Sequence, residues 1–227
     1  MIAFQNVSKI YSSRSVALEE ASFEIGPGEF VSLAGRSGAG KSTVIKLLIG
    51  EEKPSKGRVF FNQYEVNKIR DDDLPAFRRH IGVIFQDFRL LPMKTAYENV
   101  AFAMEVAGHS QHDIEELVPQ VLDMVGLGDK AHNFPNELSG GEKQRVAMAR
   151  AMVHRPEVII ADEPTGNLDP LNTYEIIKLL EKINQLGTTI ILATHDKEII
   201  NSLNRRVITL DRGRIIRDEA KGKYILV

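Results

Sequence analysis

The stretch "FVSLAGRSGAGKSTVIKLLIG", residues 30–50, constrains this chain more than any other. An apolar run of strand length meets a second apolar run of helical spacing across a turn of glycines, hydroxyl residues and a lysine. A glycine-rich turn at a helix start points several backbone N–H groups into one small volume, where the helix dipole adds partial positive charge. Lys41 supplies a full positive charge there, and Ser42 offers a hydroxyl of the kind that ligates Mg²⁺ beside a phosphate chain. Gly35, Gly40, Lys41 and Ser42 meet the spacing G-x-x-x-x-G-K-[ST], which points to a nucleoside triphosphate. The dinucleotide pattern G-x-G-x-x-G with a downstream acid fits less well, because it gives Lys41 no part.

The surrounding text predicts an α/β fold. "FVSLA", "VIIAD" and "TIILAT" are short apolar runs of the kind found in parallel strands covered on both faces, separated by segments of helical period. Alternation in "IAFQNVSKIY" predicts an antiparallel β portion within residues 1–31. From about 88 to 154, "AYENVAFAMEVAG", "DIEELVPQVLDMVG" and "EKQRVAMARAMV" are helical by period. They predict a helical subdomain inserted into a nucleotide-binding core of residues 1–87 and 155–227, all within one domain. After Asn204, "RRVITLDRGRIIRDEAKGKYILV" predicts a hairpin turning at Asp211–Gly213.

Composition narrows the chemistry. A formal net charge of −2 gives no support to general nucleic-acid or anionic-membrane binding, so no nucleic acid is expected. The five arginines from Arg205 to Arg217 interleave with Val207, Ile208, Leu210, Ile215 and Ile216, as on the solvated face of strands. "RDDD" at 70–73 reads as a solvated helix start. With no cysteine there is no thiol chemistry and no Cys-based zinc site. No run of 18 apolar residues exists to span a bilayer.

Two further motifs carry charge. "EVIIADEP" at 157–164 is an apolar strand ending in two acids; Asp162 at its tip can reach the Mg²⁺ of a phosphate loop, and Glu163 is free to orient or deprotonate water. "ELSGGEKQR" at 137–145 places Ser139, Gly140 and Gly141 just before a helix, a second anion-binding terminus. One nucleotide does not need two such sites on one chain, so the second is expected to serve a partner's nucleotide.

With the phosphate loop, "VIIADE" and LSGGE together, nearly the whole chain resembles an ABC-type ATPase. The resemblance implies a P-loop NTPase fold of that type, with ATP and Mg²⁺ as cofactors and two copies meeting head to tail on ATP. It implies that Gly35, Ser37, Gly38, Gly40, Lys41, Ser42 and Thr43 hold the phosphates, and that Tyr11 stacks on adenine. Asp162, Ser42 and Gln86 would attend the metal, Glu163 would be the general base, and His195 would contact the γ-phosphate. Ser139, Gly140 and Gly141 would complete the other copy's site. The loop after the glutamate usually reads S-A-L-D, whereas here it is Gly166-Asn167-Leu168-Asp169. That departure resembles the subgroup serving cell division, lipoprotein release and macrolide export, and "FQDFRLLP" most resembles its cell-division branch. An integral membrane partner, and a peripheral place on the cytoplasmic face of a bacterial inner membrane, are implied with it. Phe88, Arg89, Leu90, Leu91 and Pro92 are the expected docking segment, with packing beneath the helical subdomain as the alternative for Phe88, Leu90 and Leu91.

Overall fold

The computed structural model describes residues 1–12 and 15–223, which form two sheets around a shared core. The first sheet is antiparallel, in the order β2-β1-β4-β5, from strands β1 (Ile2–Ser12), β2 (Ser15–Ile25), β4 (Lys56–Phe61) and β5 (Tyr64–Glu65). Its inward positions alternate along β1 and β2, and Phe4 stacks on Phe23 with ring centroids 4.5 Å apart.

The second sheet runs β10-β9-β3-β8-β7-β6. Strands β3 (Phe30–Ala34), β6 (Ile81–Phe85), β7 (Val158–Asp162), β8 (Thr189–Thr194) and β9 (Arg206–Asp211) are parallel, and β10 (Arg214–Glu219) returns antiparallel to β9. All five residues of β3 and all six of β8 are buried, as parallel strands covered on both faces require. The three apolar runs singled out in the sequence are therefore the adjacent strands β3, β8 and β7 at the centre of this sheet. Strands β4 and β6 had no strong signal of their own, since "KGRVFF" opens with charge and "IGVIF" is interrupted by a glycine.

Helix α1 (Lys41–Leu48) follows β3 directly and buries Val44, Ile45, Leu47 and Leu48 between the two sheets. Helices α6 (Pro170–Gln185) and α7 (Lys197–Leu203) cover the other face with Ile176, Leu180, Ile183, Ile199 and Leu203. Between β6 and β7 come α3 (Ala96–Ala107), α4 (Gln111–Met124) and α5 (Gly140–Met152), which bury a cluster of their own around Val100, Met104, Val118, Leu122 and Val146. Each of the three begins at a reciprocal cap, Thr95 with Glu98, Ser110 with Asp113 and Ser139 with Glu142, so two otherwise orphaned N–H groups are satisfied at each start. The short helix α2 (Leu74–Arg78) follows the acidic turn at Asp71–Asp73, which is exposed.

The C-terminal hairpin turns through Arg212 and Gly213, both with positive φ (46° and 81°), the twist that a two-residue turn between antiparallel strands needs. Three of the five arginines here are paired with acids: Arg206 with Glu29 and Asp218, Arg214 with Glu19, and Arg217 with Glu219. The turn also reaches the phosphate loop, since Gly213 N–H donates to the Ala39 carbonyl at 3.0 Å.

Candidate active site

The loop between β3 and α1 borders a cavity of about 470 Å³ at the carboxyl ends of the parallel strands, the place where open α/β sheets bind ligands. Ser37, Gly38, Gly40, Lys41, Ser42 and Thr43 line one wall, and Ala17, Gln86, Asp162, Glu163 and His195 line the rest. Gly40 caps α1 with φ of 111°, and a Cβ there would sit 2.7 Å from the Ala17 carbonyl oxygen of β2. Only glycine can hold the helix terminus this close to the neighbouring strand.

Lys41 is 6% exposed, and its ammonium folds back to donate to the carbonyls of Gly35 (2.7 Å) and Arg36 (3.3 Å). Gly35 therefore acts on the lysine rather than lining the cavity. Glu163 follows β7 in the left-handed region (φ 48°), rare for a residue with a side chain, and its N–H donates to the Ala193 carbonyl of β8 at 2.8 Å. This turn points its carboxylate back at the loop. One oxygen, Oε1, lies 3.2 Å from Lys41 Nζ and 2.9 Å from His195 Nδ1.

Asp162 ends β7 beside it. Burial and the neighbouring Glu163 charge push the Asp162 carboxyl above its ordinary range, while the Ser42 hydroxyl and Lys41 pull it down. A divalent cation would relieve that cost. Ser42 and Asp162 offer one hydroxyl and one carboxylate, the sparse oxygen set that suits Mg²⁺, which keeps several waters and takes phosphate oxygens as ligands.

Two groups of expected site residues lie elsewhere in the single chain. Tyr11 is 48% exposed and outside the cavity lining; its ring carries the Lys9 ammonium at 4.9 Å. Ser139, Gly140 and Gly141 start α5, also outside the lining. Ser139 Oγ accepts from Glu142 N–H at 3.3 Å, and a Cβ on Gly141 would collide with the Asn172 side chain of α6.

Two residues at the site carried no signal in the sequence. Ala17 lines the cavity from β2, where only tertiary packing brings it. Arg150 of α5, half-buried and with its pKa drawn down by that burial, donates to the carbonyls of Phe88 and Arg89 at 2.9 and 2.5 Å. It thereby fixes two consecutive residues of positive φ (59° and 49°) just past Gln86. The Arg89 guanidinium lies 3.8 Å from the Phe85 ring centroid, Leu90 packs on the α3–α5 cluster, and the Leu91 backbone is bound by the buried Asn99. The segment 88–92 is thus anchored on its inner side. Large apolar groups left exposed nearby are Met93 at 86%, Val106 at 53% and Phe102, with Lys94 over the Phe102 ring.

Comparison with known proteins agrees with this geometry. The family model described as ABC transporter matches residues 18–166. Curated proteins named cell division ATP-binding protein FtsE are similar over nearly the full length. The one from Streptococcus pneumoniae serotype 2 is 52% identical, covering 99% of this chain and 97% of its own, and that from Escherichia coli K12 is 47% identical, covering 95% and 97%. Among solved structures, the dimeric post-hydrolysis state of the ATP-binding cassette MJ0796, bound to ADP and Pi, superposes with a TM-score of 0.88 at 36% identity. It covers 99% of this chain and all of that one. CbiO1 of Clostridium perfringens, part of the ABC transporter complex CbiONQ, gives 0.88 at 33% identity, covering 97% and 88%. The chain belongs to the ABC transporter family, as one of its ATP-hydrolysing subunits.

Proposed function

We propose that this chain is the ATPase that drives a separate membrane protein, as the subunit of a cell-division pair of the FtsE–FtsX kind. The observation that carries the reading is the meeting of Lys41, Glu163 and His195 on one carboxylate oxygen within a phosphate-loop cavity.

The roles follow from that meeting. Backbone N–H groups from Gly38 to Ser42 and the Lys41 ammonium take the β- and γ-phosphates, with Thr43 near the α-phosphate. Ser42 and Asp162, with Gln86 nearby, would hold Mg²⁺, which would supply positive charge against the transferring phosphoryl group. Once phosphate engages Lys41, Glu163 is released to orient and deprotonate the attacking water, and His195 remains at the γ-phosphate position. Ser139–Gly141 lie outside the cavity at the capped N-terminus of α5, so they serve the nucleotide of a second copy. A head-to-tail homodimer closes both sites. Beyond Glu163 and His195 a hollow of about 560 Å³ runs to Tyr174 and Ile199, open for such a copy to cover.

Among the described residues no helix is long and apolar enough to cross a membrane, so force must pass through a partner. The cleft of about 350 Å³ between α2 and α3, lined by Arg78, Arg79, Ala103 and Val106, joins the exposed Phe102–Val106 face. An apolar helix with acidic flanks, from the cytoplasmic side of a permease, suits that mixture. Its contact with α3 and the 88–92 segment would reach Gln86, one residue from the anchored turn.

Purification of the chain from detergent-solubilised membranes tests the reading. An FtsX-like permease should accompany it, together with Mg²⁺-dependent ATPase activity. Recovery of a lipoprotein-release or macrolide-export permease would move the chain to that branch, which shares the Gly166-Asn167-Leu168-Asp169 loop. Absence of any integral membrane partner would reject the coupling role.

A further inference from the structure

The loop after Glu163 departs from its family's usual letters at two adjacent positions, and both of them touch Gln86. Asn167 Nδ2 donates to the Gln86 main-chain carbonyl at 3.1 Å. At Gly166 the absent side chain leaves room for the glutamine itself: a Cβ there would sit 2.7 Å from Gln86 Nε2 and 3.2 Å from Cδ. The backbone at Gly166 is not left-handed, so nothing but this contact calls for glycine. From the opposite side, Arg150 clamps the carbonyls of Phe88 and Arg89. Gln86 therefore stands between two fixed points, one on α5 and one on the loop that follows the base.

We propose that Gly166 and Asn167 are positioning residues for Gln86, setting its carbonyl by a hydrogen bond and its amide by the space left at Gly166. This rests on the ATPase reading above, in which Gln86 attends the metal and the attacking water. The loop carrying the base and the residue facing metal and water are then one unit, and a displacement of either moves the other.

The test uses the full chain with substitutions Gly166→Ala and Asn167→Ala. Both leave the phosphate loop untouched, and the backbone conformation at Gly166 accepts alanine. Each is expected to lower kcat about two- to tenfold, the range for one lost or displaced hydrogen bond, with KM for ATP unchanged. The Mg²⁺ concentration for half-maximal turnover should rise in both. In a Gln86→Ala background neither substitution should lower kcat further. A readout independent of catalysis is the ¹H–¹⁵N signal of the Gln86 side-chain amide, assigned by its loss in Gln86→Ala. Gly166→Ala should move that signal. An unmoved amide signal would overturn the proposal, as would kcat losses that persist undiminished in Gln86→Ala. A wild-type chain that fails to hydrolyse ATP would sink the functional reading instead, while the amide signal still decides whether the loop positions Gln86.

Discussion

Lys41 and Glu163, distant in sequence, form an ion pair at 3.2 Å, so the carboxylate proposed as the base holds the charge proposed for phosphate. The same Glu163 oxygen is 2.9 Å from His195 Nδ1. On the proposed roles, arrival of a triphosphate would compete for Lys41 and leave Glu163 with His195, making binding and activation one exchange of partners.

Nucleotide should therefore stabilise the chain through Lys41. At a hundred times its dissociation constant a ligand adds about 2.7 kcal/mol, a rise in melting temperature of roughly 5–10 °C for a chain of this size. In Lys41→Ala the shift should shrink to less than half. Equal shifts in a thermal melt of both proteins would remove Lys41 from the phosphate site.

Replacing Glu163 by glutamine preserves shape and removes the base. ATP should still bind, turnover should fall by about 10² or more, and the ATP-bound dimer should accumulate, seen by light scattering. Near wild-type turnover would assign water activation to another residue.

Ser139→Arg places a long cation at the start of α5, outside the chain's own cavity. ATP binding to the monomer should persist while the dimer is lost. Normal dimer formation by Ser139→Arg combined with Glu163→Gln would refute service of α5 to a second copy.

Val106→Glu tests the exposed face of α3 without touching the site. The chain should leave the membrane fraction while binding ATP as before. Phe88→Ala with Arg89→Ala should uncouple turnover from the partner, because Arg89 stacks on Phe85 at the end of β6. Continued membrane association of Val106→Glu, with cell division intact, would move the docking surface elsewhere.

His154 offers a check by pH. Burial, and next the nearby His109, lower its pKa below the ordinary 6.5, and its buried Nδ1 has no hydrogen-bond partner. The unfolded chain then binds the proton that the fold refuses, so stability is fully present above pH 6.5 and falls as pH drops below it. The slope is bounded by about 1.4 kcal/mol per pH unit. His154→Asn should flatten the decline in melting temperature between pH 6.5 and 5. An unchanged decline would place the titrating group elsewhere.

Much of this site was legible in the letters, because the chemistry of phosphate demands a fixed local spacing. Gly38, Gly40, Lys41 and Ser42 sit in one turn, and Asp162 and Glu163 end one apolar strand. Tyr11 lies outside the cavity lining, and the contact with adenine expected of it needs a ligand rather than packing. Arg150 and Ala17 were illegible for the opposite reason. Their contacts, to Phe88 and to the cavity wall, arise only when α5 and β2 are docked by long-range packing. Strand β6 escaped notice because a glycine interrupts the apolar run in "IGVIF", yet its pairing with β7 sets Gln86 near Asp162. Gly166 and Asn167 were visible as a departure, but the contact with Gln86 that gives them meaning lies across the fold.

The hairpin turn at Arg212–Gly213 gives the molecule an order of assembly. Gly213 binds the Ala39 carbonyl, the Glu19 N–H binds Gly213, and Leu210 of β9 lies beside Gly40. The residues that brace the phosphate loop from behind thus lie far beyond it in the chain, and a ribosome releases them after the loop itself. A nascent chain that has made α1, α5 and even β8 still lacks that brace. Full ATP affinity is accordingly expected only once β9 and its turn have joined the loop.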